Sequence, residues 1–70
     1  MKKSEAIRAI ENARHADPRL RIKANELILR GHNQGEIVRL IQDKSLTFDQ
    51  IWHSFQRMEF PVPISINVLV

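Results

Sequence analysis

Apolar side chains recur at helical spacing along most of the chain, and this periodicity predicts four helices. At or just before the start of each predicted helix stands a residue whose side chain can accept a hydrogen bond from the first turn. These residues are Ser4, Asp17, Asn33 and Thr47. Pro18 favours a helix start and Gly31 favours a helix end. The predicted helices cover residues 4–16, 18–30, 34–42 and 48–58.

The period changes after Pro61 and Pro63. In the last seven residues β-branched side chains alternate with other residues, which predicts a strand. A single strand leaves its backbone hydrogen-bonding groups unpaired. It therefore either pairs with a second copy, adds to the sheet of a partner, or stays disordered, and we favour pairing in a homodimer. The alternating positions that would form the dimer contact are Ile64, Ile66, Val68 and Val70.

The predicted fold class is therefore mainly α, with a small four-helix domain over residues 1–60 and an extended tail over residues 61–70. The tail carries the short C-terminal β-strand, and the protein is expected to be dimeric. The fourth helix has the bulkiest apolar stripe, which we interpret as the centre of the core rather than a partner-binding face. The expected core residues of the third and fourth helices are Ile37, Ile41, Phe48, Ile51, Trp52 and Phe55.

Residues 31–57 have the spacing of a helix-turn-helix motif. Gly31, the pair Glu36 and Ile37, then Ile41, and then the pair Thr47 and Phe48 follow one another at the offsets of a known family. This segment resembles the LuxR-type DNA-binding domain of bacterial regulators, and more loosely the fourth region of sigma factors. The segment departs from that pattern at Val38, where the family usually has a small residue.

The resemblance implies that the fourth helix, over residues 47–58, enters the major groove of DNA. Glutamine and arginine can make paired hydrogen bonds with base edges, and hydroxyl groups can reach bases or phosphates. By position, the base-reading candidates are Thr47, Gln50, His53, Ser54 and Arg57. The phosphate-contacting candidates are Arg14, Arg19, Arg21, Lys23 and Lys44.

The charge distribution complicates this interpretation. The chain carries 11 basic and 8 acidic residues, but residues 1–30 hold eight of the basic and four of the acidic ones. The motif half is therefore slightly acidic, whereas a DNA-reading helix normally brings phosphate-neutralising charge with it.

The leading hypothesis is a small DNA-binding transcriptional regulator that acts as a homodimer. The alternative is an inhibitor or adaptor, of the kind found among mobile-element proteins, that binds a host regulatory protein through a helical surface. An RNA-binding module is a third hypothesis.

Composition excludes several other classes of protein. The 70 residues include no cysteine, which removes disulfide scaffolds, cysteine-based zinc sites and thiol catalysis. The three histidines are far apart and form no metal-ligand motif, and no nucleophile elbow or phosphate-binding loop is present. We therefore expect no metal, no cofactor and no enzymatic activity. No apolar run is long enough to span a membrane, and we expect a cytoplasmic protein.

Overall fold

The computed structural model describes residues 1–60, which form four helices packed around one core. The prediction of a mainly helical four-helix domain is confirmed. Residues 1–60 contain no strand, and the predicted strand with its dimer contact lies outside the described residues. The helices are α1 (Lys3–Asn12), α2 (Pro18–Leu29), α3 (Gln34–Gln42) and α4 (Phe48–Glu59).

Local hydrogen bonds set the ends of α2 and α3. The Asp17 carboxylate accepts from the backbone amide of Arg19 at 2.8 Å, beside Pro18 in the first turn of α2. Gly31 ends α2 with φ at +92°. The amide of Gly31 donates to the Ile28 carbonyl at 3.0 Å, and the amide of His32 donates to the Leu27 carbonyl at 3.1 Å. This pair of bonds is a Schellman motif, which favours glycine at the left-handed position.

The predicted limits of α1 were wrong at both ends. Helix α1 begins after Lys2 rather than Ser4, because the Glu5 carboxylate accepts from the Lys2 amide at 3.0 Å. It ends at Asn12, four residues before the predicted limit of Ala16. The intervening residues form a turn that presents Ala13 and Ala16 to the core, where both are buried.

Helices α2 and α3 are the central elements, because each of them packs against the other three helices. Helix α1 packs on α2 and α3 but does not contact α4. The N-terminal ends of α2 and α4 lie together, since the Arg19 side chain stands over the Phe48 ring. Their C-terminal ends are joined by an ion pair between Arg30 and Glu59. The two helices therefore run side by side in the same direction.

The core draws on all four helices and on the turn after α1. Its buried residues are Ala6, Ile10, Ala13, Ala16, Leu20, Ala24, Leu27, Ile28, Ile37, Val38, Ile41, Ile51 and Phe55. Four of these residues are alanines, and all four come from α1, α2 and the turn between them. The most voluminous of the fully buried side chains is Phe55.

Phe48 and Trp52 do not lie at the centre of the core as predicted. They stack on one another at its edge, with ring centroids 5.6 Å apart and planes 10° apart, and both are only half-buried. Ile51 and Phe55 lie on the side of α4 that points to the centre of the core. Phe48 and Trp52 lie on the side of α4 that faces α2, and this position leaves them at the edge. The Arg19 guanidinium covers the Phe48 ring at 4.5 Å, an arrangement that adds a cation–π contact.

The four helices form two consecutive helical hairpins of similar build. The turn within each hairpin has five residues, 13–17 in the first and 43–47 in the second. In each turn the amide of the first residue donates to a carbonyl three residues earlier, Ala13 to Ile10 and Asp43 to Leu40. Residues from both turns line one cavity, so the turns are neighbours at the same end of the molecule.

Candidate nucleic-acid interface

The start of α4 is held by reciprocal hydrogen bonds. The Thr47 hydroxyl accepts from the Gln50 amide at 3.2 Å, and the Gln50 side-chain oxygen accepts from the Thr47 amide at 2.9 Å. In the turn before it, the Asp43 carboxylate accepts from the amide of Ser45 at 2.9 Å and from its hydroxyl at 2.5 Å. Three backbone donors that would otherwise be unpaired are thus satisfied.

The five base-reading candidates lie on the outer side of α4. Thr47, Gln50, His53 and Arg57 are exposed, and Ser54 is half-buried. The last four line an open groove of about 460 Å³ together with Leu40 and Leu46. No other part of residues 1–60 covers this groove. The structure therefore brings the predicted residues together on one accessible surface, but it also gives that surface an apolar floor.

Two of these side chains already use part of their hydrogen-bonding capacity. The Gln50 side-chain oxygen is occupied by the cap, so only its amide nitrogen is free to donate. A paired contact with adenine, which needs both groups of a glutamine side chain, would require the cap to open. The Ser54 hydroxyl donates to the Gln50 carbonyl at 3.1 Å. Arg57 and His53 form no side-chain hydrogen bond within residues 1–60, so they are the most available of the five candidates.

The five phosphate-contacting candidates have different surroundings. Arg14 and Lys44 are exposed and form no ion pair within the described residues. Arg21 is half-buried. Arg19 is exposed but pairs with Asp17 at 2.9 Å. Lys23 pairs with Glu59, with 2.5 Å between the Nζ and carboxylate atoms and only 19% of the lysine side chain exposed. The predicted basic cluster is therefore not a uniform positive surface, because two of its five charges have carboxylate partners.

Glu59 is a charged residue that sequence reasoning missed. Its side chain is only 5% exposed and lies between Lys23 of α2 and Arg30, the residue that follows α2, which makes it the electrostatic link between α2 and α4. Arg30 is also 4.0 Å from Glu26. The sequence carries no local signal for this link, because the paired residues are 29 and 36 positions apart. A buried carboxylate with two cations remains ionised, and its pKa is lowered chiefly by the hydrogen bond with Lys23.

We expect the stability of the protein to fall in acid. Three carboxyl groups have a pKa below the ordinary value. The pKa of Glu59 is lowered by Lys23 and Arg30, and the pKa of Asp43 is lowered by Ser45. The pKa of Asp17 is lowered by Arg19 to about 2. A lowered pKa in the folded state adds stability above the unfolded pKa, and protonation removes it as the pH falls. The melting temperature should therefore decrease below about pH 4.5, the ordinary pKa of glutamic acid.

The matched variant for this pH series is Glu59→Gln, which keeps the shape of the side chain and removes its charge. It should melt at a lower temperature than the unchanged protein at pH 7, and its melting temperature should decline less steeply between pH 5 and pH 3. Equal slopes for the two proteins would contradict the assignment of Glu59 as an acid-sensitive link.

None of the helices in residues 1–60 has the length and apolar character that a membrane crossing requires. Comparison of the chain with protein-family models, with curated proteins and with solved structures returned no match in any of the three.

Proposed function

We propose that the protein is a small DNA-binding transcriptional regulator in which the outer side of α4 enters the major groove. The observation that supports this proposal most directly is the accessible side of α4. Gln50, His53 and Arg57 are exposed there, on a helix whose start is fixed by its cap. A rigid helix with free polar side chains on one side can contact base edges while the rest of the domain stays on the DNA backbone.

Arg57 is the principal base-reading residue in this proposal. Its guanidinium can donate two parallel hydrogen bonds to the O6 and N7 atoms of a guanine. His53 lies one turn earlier on the same side, and the free amide nitrogen of Gln50 can donate to an acceptor on a base. Lys44 stands just before α4 and can neutralise a phosphate, as can Arg14 in the turn after α1. Arg19 and Lys23 contribute less, because each already has a carboxylate partner.

The proposal is tested by fluorescence anisotropy of the full chain with a DNA duplex, first a random sequence and then the site obtained by selection. Binding should weaken steeply with increasing salt. Arg57→Ala should weaken binding to the selected site by about 1–3 kcal/mol and relax its sequence preference. The control is Arg8→Ala, because Arg8 is exposed and lies on α1, a helix that does not contact α4. No binding at low salt, or an equal loss in both variants, would reject α4 as the reader.

We propose further that the regulator acts as a homodimer joined by its C-terminal residues, so that two copies of α4 read two half-sites. The support is the alternation of Ile64, Ile66, Val68 and Val70 in the sequence. Deletion of residues 64–70 should convert a dimer to a monomer in light scattering, without changing the melting temperature at high protein dilution. An unchanged molar mass would show that these residues do not form the dimer contact.

A second candidate function is that of an adaptor that binds a host regulatory protein. The specific observation in its favour is the groove beside α4, because Leu40 and Leu46 line it and both are half-buried. An apolar anchor from a partner could fill such a groove, and fully desolvated anchors dominate the energetics of protein interfaces. The anisotropy titration separates the two functions, since an adaptor of this kind would leave DNA unbound at low salt.

A further inference from the structure

A second concave site lies between the two hairpin turns, away from the outer groove of α4. It is a cavity of about 340 Å³. Its floor is formed by three core side chains, Leu20, Ile41 and Ile51, each no more than 4% exposed. Ala16, Leu46 and Phe48 complete the apolar walls. The volume is at the lower end of the range for small-molecule sites, which usually combine apolar walls with a few polar groups.

The polar groups of this cavity come from the two turns. Asp17 is fully engaged, since its carboxylate accepts three hydrogen bonds from Arg19 at 2.8, 3.1 and 2.9 Å. Asp43 differs, because both of its hydrogen bonds with Ser45 are made by one carboxylate oxygen. The other oxygen, Oδ2, has no hydrogen-bond partner within residues 1–60. Hydrogen bonding by Ser45 also lowers the pKa of Asp43, so the carboxylate is ionised at neutral pH.

Lys44 lies next to Asp43 and also lines the cavity. Neither residue forms an ion pair with another residue in the described part of the chain. Asp43 and Lys44, both exposed, thus supply one anionic and one cationic group at the edge of an apolar cavity, which His15 also lines. A purely apolar ligand would leave both charges to solvent, and a ligand with one charge would engage only one of them.

We propose that this cavity binds an α-amino acid with an apolar side chain. The ammonium group of the ligand pairs with Asp43, the carboxylate pairs with Lys44, and the side chain rests on Leu20, Ile41 and Ile51. The α-amino acid class is the one that presents both charges on a single carbon beside one apolar group. This inference does not depend on DNA binding, because the cavity shares only Leu46 with the groove beside α4, although Lys44 is also a phosphate contact in the DNA-binding proposal.

The test is a titration of the isotope-labelled full chain, followed by amide chemical shifts. L-phenylalanine is the probe, and its matched controls are phenethylamine, 3-phenylpropionate and glycine, each lacking one of the three groups. Saturable shifts should concentrate at residues 15–17 and 41–48 with L-phenylalanine. Each control should bind more weakly, phenethylamine and 3-phenylpropionate by up to about fivefold. Equal binding of phenethylamine would assign the site to apolar amines instead, and the absence of saturable shifts in this region would overturn the proposal.

Two variants check the roles of the charged groups. Asp43→Asn and Lys44→Gln should each weaken L-phenylalanine binding by up to about fivefold, as expected for partly exposed ion pairs. Lys44→Gln is the safer variant, because Lys44 makes no hydrogen bond or ion pair within residues 1–60. The control is Asp49→Asn, an exposed carboxylate on α4 that does not line the cavity. Unchanged binding in both cavity variants would show that the charges do not recognise the ligand. Because no DNA is present, failure here would leave the DNA-binding proposal unaffected.

Discussion

Replacing Phe55 by alanine is expected to lower the free energy of unfolding by about 3–5 kcal/mol. The side chain is completely buried, and it comes from the middle of α4 into the region where α4 meets the rest of the core. Its removal takes away a large apolar contact area and leaves a cavity that the neighbouring helices fill only in part. Chemical denaturation followed by circular dichroism measures the loss.

The matched control for this prediction is Phe60→Ala. Phe60 follows α4 and is 64% exposed, so its truncation should change the free energy of unfolding by no more than about 0.5 kcal/mol. A domain of this size has a total stability of only several kcal/mol, so the Phe55→Ala variant is expected to be largely unfolded. Phe55→Leu then serves as the milder variant, with a loss between those of the two alanine variants. Equal losses at positions 55 and 60 would contradict the assignment of Phe55 to the core.

Replacing Ile10 by alanine is expected to lower the free energy of unfolding by about 2–5 kcal/mol. Ile10 is the largest fully buried side chain of α1, and α1 packs on α2 and α3. The helix is short, and its one other buried side chain is Ala6, so its stability depends on tertiary packing. The whole domain should still unfold in a single transition, because α1 shares its contacts with the central helices α2 and α3.

The control for Ile10 is Ile22→Ala, the same substitution at a residue of α2 that is 62% exposed. Its effect should stay within about 0.5 kcal/mol. Denaturation followed both by circular dichroism and by the fluorescence of Trp52, the single tryptophan, distinguishes the possible outcomes. If the two signals separate in the Ile10 variant, α1 detaches by itself and the domain is not one cooperative unit.

The sequence by itself determined the elements whose ends depend on nearby residues. Asn33 and Thr47 begin α3 and α4 as predicted, since each side chain accepts from an amide three residues later. Gly31 stands at the end of α2 because it adopts a positive φ. These interactions span three to five residues, so composition and spacing alone reveal them. The burial of Ile37, Ile41, Ile51 and Phe55 follows the helical periodicity in the same way.

The end of α1 could not be predicted from local sequence signals of this kind. Arg14, His15 and Ala16 include no proline or glycine, and helical spacing continues through them. The helix ends at Asn12 because the turn places Ala13 and Ala16 against the other helices, a gain that arises only when those helices are present. Tertiary packing therefore overrides the local preference at this point.

The candidate site also combines features that the sequence predicts with features that only the tertiary structure shows. Helical spacing was enough to place Gln50, His53, Ser54 and Arg57 on one side of α4. It could not reveal that the cap occupies the Gln50 oxygen, that Lys23 is paired with Glu59, or that Phe48 and Trp52 stack at the edge of the core. It also could not bring Asp43 and Lys44 to a cavity shared with the turn after α1.

Such arrangements join residues that are distant in the sequence, and they depend on how the helices cross. A helix's hydrogen bonds and caps are made within a few residues, so its position in the sequence is determined locally. The neighbours of a side chain on another helix depend on the direction and separation of the two axes. For this protein, the sequence determined which segments are helical and which sides they bury. Only the tertiary structure decided which charges are paired and where the two turns meet, because those contacts require all four helices to be packed.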